Sequence, residues 1–321
     1  MLGQLLSTTS RMLLVGPTGL GKTNIALAIA YAVADGEPFL HWRAGERPRR
    51  VLYIDGEMPE RLMHSRLEDA TRRLGAKPDS LFILSREDFP DMPPLNTEPG
   101  QKFIDRVINI IEGADLVIFD NIQALLTGNM TEEEPWQQTL PWVRDLTRRK
   151  IGQIWVHHTG HDETRSYGTK TREWQLDTVI LLEQVDRPDT DIAFLIKFLK
   201  ARERTPDNRS DFEPASITLV NDQWSSERGN IRSGKPKPKD LALEVLKDEI
   251  ARGHGAIPPA SSRIPPETLC LTMGAWRKAY EARSTEPSEI AAKQAFYRAA
   301  KDLNEKLQRI GKHDLWVWPI R

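Results

Sequence analysis

Near the start of the chain, Gly16-Pro17-Thr18-Gly19-Leu20-Gly21-Lys22-Thr23 fits the pattern G-x-x-x-x-G-K-[ST] in full. Glycines let successive backbone N–H groups turn inward as an anion nest, and a following helix N-terminus adds partial positive charge. That chemistry suits the phosphates of ATP. Lys22 is expected to reach the β- and γ-phosphates, and the Thr23 hydroxyl to ligate Mg²⁺. The context fits as well: the apolar run Leu13-Leu14-Val15 precedes the loop and a helix-like segment, Thr23–Ala34, follows it.

Two further segments carry carboxylates where such a loop needs them. Asp115-Leu116-Val117-Ile118-Phe119-Asp120 reads as an apolar strand ending in an acid. Asp120 is therefore expected to hold Mg²⁺, partly through water. Hydrolysis also needs a group that orients and activates water. Asn121 occupies the position directly after Asp120, so the better candidate lies in Val51-Leu52-Tyr53-Ile54-Asp55-Gly56-Glu57-Met58. Glu57, just past a second apolar strand, is the expected general base, with Asp55 a supporting or solvated carboxylate.

The surrounding pattern supplies elements able to position these groups. Short apolar bursts at Leu13–Val15, Val51–Ile54, Leu81–Leu84, Leu116–Phe119 and Ile154–Val156 suit strands buried on both faces. Helix-like segments, Thr23–Ala34, Pro59–Leu74, Gly100–Glu112 and Glu134–Arg149, alternate with them. Strand–helix alternation predicts an α/β fold with a mostly parallel sheet and flanking helices. Thr178–Leu182, Ile192–Leu199 and Ser216–Val220 are expected to extend the sheet in a more antiparallel manner.

Composition sets the limits. The chain has 321 residues, 39% hydrophobic and 28% charged, which suits two globular domains and excludes a disordered chain. The longest nearly apolar stretch, Ile25–Ala34, is far short of the roughly 18 residues of a bilayer span. A single cysteine, Cys270, excludes an internal disulfide. With no signal peptide pattern, a cytoplasmic location without membrane contact is expected.

The net charge of −1 hides an asymmetry: residues 1–231 carry 28 Lys and Arg against 35 Asp and Glu, whereas residues 232–321 carry 17 against 11. The Gly-, Pro- and Lys-rich stretch Arg228–Asp240 reads as a linker. It divides residues 1–227 from a C-terminal module over residues 241–321. There, Leu241–Arg252, Gly274–Arg283 and Glu289–Ile310 read as helices, and Lys312–Trp318 as a terminal strand. Three helices and a β-element suggest a winged-helix-like domain, whose third helix presents Lys293, Arg298, Lys301 and Lys306 to DNA.

Four pieces in order, GPTGLGKT, YIDGEM, ADLVIFDNIQAL and QIWVHHTGH followed by SYGTKTREWQLDTVILL, give residues from about 12 to 223 a resemblance. They resemble the RecA-like P-loop ATPases, most closely the hexameric plasmid replicative helicases of the RepA type. The resemblance favours Glu57 as catalytic base, because this family carries its glutamate after the second core strand. It also implies that a polar residue at the end of the strand beyond Asp120 senses the γ-phosphate. His157 and His158 both occupy that place, with strand phase favouring His157.

The segment from Thr159 to Trp174 is rich in Gly, Thr and bases, and Arg165, Tyr167, Lys170 and Arg172 there suit phosphates and stacked bases. In such motors this segment contacts single-stranded DNA. Lys200, Arg202 and Arg204 share one face of an extended strand. The resemblance assigns Lys200 and Arg202 to the neighbouring subunit's γ-phosphate in a homo-oligomeric ring, a hexamer by family. The implied function is Mg²⁺-dependent ATP hydrolysis driving single-stranded DNA translocation and unwinding, in replication of a plasmid, phage or mobile element alongside initiation partners. The alternatives are a RecA- or KaiC-like DNA-stimulated ATPase that does not unwind, and an ATP-switched DNA-binding regulator.

Overall fold

The computed structural model describes residues 1–129, 132–159, 175–185, 187, 190, 192–228, 238–259, 261, 263–284, 286 and 288–320. The chain divides into two compact units, Met1–Ser233 and Gly234–Arg321.

The first unit is built on a nine-stranded sheet in the order β3-β2-β4-β5-β1-β6-β7-β8-β9. Its strands are β1 (Arg11–Gly16), β2 (Val51–Asp55), β3 (Leu81–Ser85), β4 (Leu116–Asp120), β5 (Gly152–His158), β6 (Thr178–Gln184), β7 (Ile192–Ala201), β8 (Ala215–Val220) and β9 (Gln223–Arg228). Neighbours from β3 through β6 pair parallel, and β6 to β9 pair antiparallel. The helices are α1 (Lys22–Asp35), α2 (Glu60–Leu74), α3 (Glu98–Ile110), α4 (Ile122–Leu125) and α5 (Glu134–Arg148). Every strand and helix expected in this unit is present. The short α4 and the edge strand β9 had no apolar run to announce them: β9 alternates exposed and half-buried positions.

Both faces of the parallel part are apolar because both are covered. On one face α1 is buried almost continuously from Ile25 to Ala34 and packs with α2 against Leu14, Tyr53, Ile118, Ile154 and Val156. On the other, Ile104, Leu140, Val143 and Leu146 of α3 and α5 cover Leu52, Ile54, Val117, Phe119 and Trp155. There the Trp155 ring stacks on Phe119 at 3.8 Å between centroids. Small alanines on α1 let its backbone approach the sheet, which fixes where the preceding loop ends.

In the second unit, helices Pro238–Glu249, Met273–Arg283 and Glu289–Lys301 enclose a core around Trp276, Tyr280 and Phe296. The first helix begins at Pro238, inside the stretch expected as linker. The expected single terminal strand is instead a hairpin, β11 (Ile310–His313) and β12 (Trp316–Pro319). Asp314 takes φ 51° at its turn, and β10 (Leu271–Thr272) adds to the far edge of β12. The third helix stops at Lys301, and a wider turn, Asp302–Lys306, replaces the continuation expected to Ile310.

Candidate nucleotide-binding and hydrolysis site

Parallel register brings the carboxyl ends of four strands together. Gly16 pairs with His158 across β1 and β5, and Asp55 with Asp120 across β2 and β4. Strand β5 lies between the phosphate-loop strand and the Asp120 strand. The period of two then decides which side chains share a face. Tyr53 and Ile118 belong to the α1 face, so Asp55 and Asp120, two residues on, turn toward the same side. Ile154 and Val156 also belong there, so His158 joins them. Ligands of open α/β sheets sit beyond such strand ends.

The loop itself has the expected conformation. Gly19 and Gly21 adopt φ of 81° and 98°, a region that L side chains avoid, and Gly21 starts α1. A Cβ on Gly21 would also press to 3.2 Å from Ile192 Cγ2. Lys22 is only 6% exposed, and its Nζ donates to the carbonyls of Gly16 at 2.8 Å and Pro17 at 2.7 Å. Burial pulls its pKa down to about 8, against the opposing charges of Asp120 and Glu57.

Thr23 Oγ1 donates to Asp120 Oδ2 at 2.7 Å, and the buried Tyr53 hydroxyl donates to the same oxygen at 2.6 Å. Burial pushes the Asp120 carboxyl above its ordinary range, while these two hydrogen bonds oppose the rise. A hydroxyl and a carboxylate already in contact beside a lysine and an amide nest form a donor set of hard oxygens that fits Mg²⁺ carried by a triphosphate. Among the described residues there is no separate group of three or more His, Cys, Asp or Glu able to hold a metal. A cation that takes its remaining ligands from phosphate and water needs none.

Glu57 stands in the cleft end of this arrangement with its side chain 61% exposed. Its Oε2 accepts from Asn121 Nδ2 and lies 3.7 Å from His158 Nε2. A cleft of about 250 Å³ opens beside it, lined by Glu57, Met58, Arg86 and Glu87. The roomier cleft of about 600 Å³, beside Gln4, Arg43 and Asp211, contains no phosphate-loop residue.

The histidine assignment changes. His157 is fully buried, on the Trp155 side of the sheet, and does not face the loop. His158 does: its Nδ1 lies 3.2 Å from Thr18 Oγ1 and its Nε2 3.1 Å from Asn121 Nδ2. Burial, reinforced by the Lys22 charge, holds His158 below its usual pKa. Sequence phase failed here because both sheet faces are apolar, and nothing in the residues says which one α1 covers.

Asp55 is not solvated as the alternative reading had it. It is 1% exposed and accepts from Met58 N at 2.9 Å, which shapes the turn presenting Glu57. Burial raises its pKa from 3.8 to about 7. The folded value lies above the unfolded one, so the folded chain holds this proton more tightly. The resulting stability is fully present below about pH 4 and is lost as pH rises through about 7. Three units correspond to roughly 4 kcal/mol. Asp55→Asn keeps an acceptor for Met58 N and is expected to flatten this fall. Urea denaturation of the nucleotide-free protein at pH 5 and pH 8 measures it, and parallel pH profiles for the two proteins would rule the effect out.

Lys200 and Arg202 lie elsewhere. Strand β7 runs antiparallel, so Ala201 pairs with Thr178, which pairs with Met12 at the start of β1. Both bases therefore sit at the sheet end opposite this chain's own phosphate loop. The strand stops at Ala201, so the shared face expected for Lys200, Arg202 and Arg204 does not extend past Lys200. Arg202 Nη1 instead bonds Asp177 Oδ1 at 3.2 Å, a carboxylate also held by Arg11 at 2.8 Å. Arg165, Tyr167, Lys170 and Arg172 lie outside the described residues. The functional residues that sequence reasoning missed are Tyr53 and Asn121; the period-two step from Asp55 back to Tyr53 was the available signal for the first.

Among the described residues, no helix is long and apolar enough to cross a membrane. A KaiC-like protein from the hyperthermophilic archaeon Pyrococcus horikoshii is a similar solved structure. It is 17% identical, with a TM-score of 0.46 over 70% of this chain and 94% of that one. No curated protein matches the chain. Residues 1–164, about half of the 321, match the family described as AAA domain, and they span the phosphate loop, Glu57, Asp120 and His158. That match, joined to the phosphate loop, the hydroxyl–carboxylate pair of Thr23 and Asp120 and the strand order, places the chain in the AAA domain family of P-loop ATPases.

Proposed function

We propose that the protein is a Mg²⁺-dependent ATP hydrolase whose turnover drives movement along single-stranded DNA, in the manner of a RepA-type replicative helicase. One observation supports the coupling. His158 touches Thr18 of the phosphate loop on one ring nitrogen and approaches Asn121 and Glu57 on the other. It is also the last residue of β5, immediately before the segment 159–174 that carries Arg165, Lys170 and Arg172. A histidine so placed responds to the state of the nucleotide at one end and passes the response into the chain that follows.

In this reading, bound Mg²⁺ would neutralise charge developing on the transferring phosphate, held by Thr23 and Asp120. Lys22 gives its loop carbonyls up for phosphate oxygens, and Glu57 orients water and takes its proton. Arg165, Tyr167, Lys170 and Arg172 grip the DNA strand. Lys200 and Arg202, far from their own loop, act on a neighbour's nucleotide in a ring, and Arg202 must first leave Asp177. A cation supplied in trans makes hydrolysis depend on assembly.

The C-terminal unit supports a winged-helix-like reading. Helix, strand, two helices and a hairpin follow in that order, and Lys293, Arg298 and Lys301 are exposed along the third helix. Such a helix suits duplex DNA.

The test is ATP turnover with and without oligonucleotide, followed by strand displacement. Single-stranded DNA is expected to raise turnover several-fold, and a forked duplex to be unwound only with hydrolysable ATP. Stimulation without unwinding supports the non-unwinding RecA- or KaiC-like ATPase. Negligible turnover with nucleotide-dependent duplex binding supports the ATP-switched regulator.

A further inference from the structure

Asn121 follows Asp120 where a catalytic acid often stands, and its three hydrogen-bonding partners define its orientation. It is 3% exposed. Its Oδ1 accepts from Ala124 N at 3.1 Å and caps α4. On the other side, Nδ2 meets Glu57 Oε2 and, at 3.1 Å, His158 Nε2. A backbone N–H can only donate and an ionised carboxylate can only accept, so two independent neighbours fix the amide the same way round.

The consequence reaches the imidazole. One amide N–H goes to Glu57, and the other can only be given to His158 Nε2, which must then be an acceptor. A neutral ring accepting at Nε2 carries its proton on Nδ1. That proton points to Thr18 Oγ1, 3.2 Å away in the phosphate loop.

We infer that Asn121 is a positioning residue. It holds the Glu57 carboxylate ready for water and, through the Nδ1–H tautomer it imposes on His158, ties that carboxylate to Thr18. This rests on Glu57 being the base, as proposed above. The link joins the group that activates water to the loop that grips the phosphates.

Asn121→Ser tests it, because serine keeps a cap for Ala124 N while removing both amide N–H groups. In the nucleotide-free full chain, ¹⁵N-histidine NMR, assigned against His158→Gln, is expected to find His158 in the Nδ1–H form. In the Asn121→Ser variant it should revert toward Nε2–H. The same variant should lose about thirtyfold in kcat, the scale of a hydrogen bond to a charged group. ATP affinity and melting temperature should stay unchanged. An Nε2–H ring in the wild type overturns the relay, as does full kcat in Asn121→Ser while Glu57→Gln is inactive. A kcat loss matched by lost affinity or a lowered melting temperature points to structure alone and overturns it too. Rapid hydrolysis by Glu57→Gln instead overturns the base reading, a failure the tautomer measurement keeps separate.

Discussion

Glu57→Gln is expected to bind ATP as tightly as the wild type and to hydrolyse it about a thousandfold more slowly. General-base contributions span about 10²–10⁴-fold, and a thousandfold loss corresponds to roughly 4 kcal/mol in the barrier. The substitution is clean because a glutamine can turn its carbonyl toward Asn121 Nδ2 and keep the hydrogen bond that Glu57 Oε2 accepts. An amide cannot take the proton of the attacking water, so geometry survives while chemistry does not. Among the described residues, Glu57 makes no direct hydrogen bond to the groups that hold the phosphates: Lys22 faces the loop carbonyls and Thr23 faces Asp120. Affinity and rate should therefore separate. Fluorescent-nucleotide titration gives the first and single-turnover phosphate release the second. Hydrolysis within a few-fold of wild type would remove Glu57 from the role and move attention to Asp55, the other carboxylate of the same turn.

How much of this is legible in the amino-acid sequence depends on whether a feature is local. The phosphate loop is read from consecutive residues, since Gly19 and Gly21 adopt left-handed backbone that their own chemistry permits. The strands announced themselves because a doubly covered sheet needs unbroken apolar runs, as in Leu116–Phe119. What escaped depends on non-local packing. Choosing between His157 and His158 requires knowing which sheet face α1 covers. The pairing of Tyr53 with Asp120 requires β2 and β4 to be neighbours. The three-way contact of Asn121 joins residues 64 and 37 positions apart. Arg202 was expected to continue a strand, yet the chain turns after Ala201 and Asp177 takes its charge. Alternation of bases does not by itself specify where a strand ends.

Lys22→Ala is expected to abolish measurable turnover and to weaken ATP binding by tenfold or more. The side chain has two roles that the substitution removes together. It donates to the carbonyls of Gly16 and Pro17, and its positive charge is available to phosphate oxygens when nucleotide enters. The pKa of about 8 adds a sharper signature. Near pH 8 roughly half of the buried amines are neutral in the free protein, by the definition of a pKa. A bound polyphosphate favours the charged form, so binding must draw protons from solution, and affinity must fall as pH rises above 8. Calorimetric titration at pH 8 in buffers of different ionisation enthalpy measures that uptake. The wild type is expected to take up about half a proton more than Lys22→Ala at pH 8, and this excess should vanish at pH 6.5, where the wild-type amine is already charged. Equal uptake by the two proteins at pH 8 would mean that Lys22 is fully protonated before ATP arrives. The amine would then be a permanent cation, and the pH dependence of binding would have to come from His158 or Asp55, which face the same strand ends.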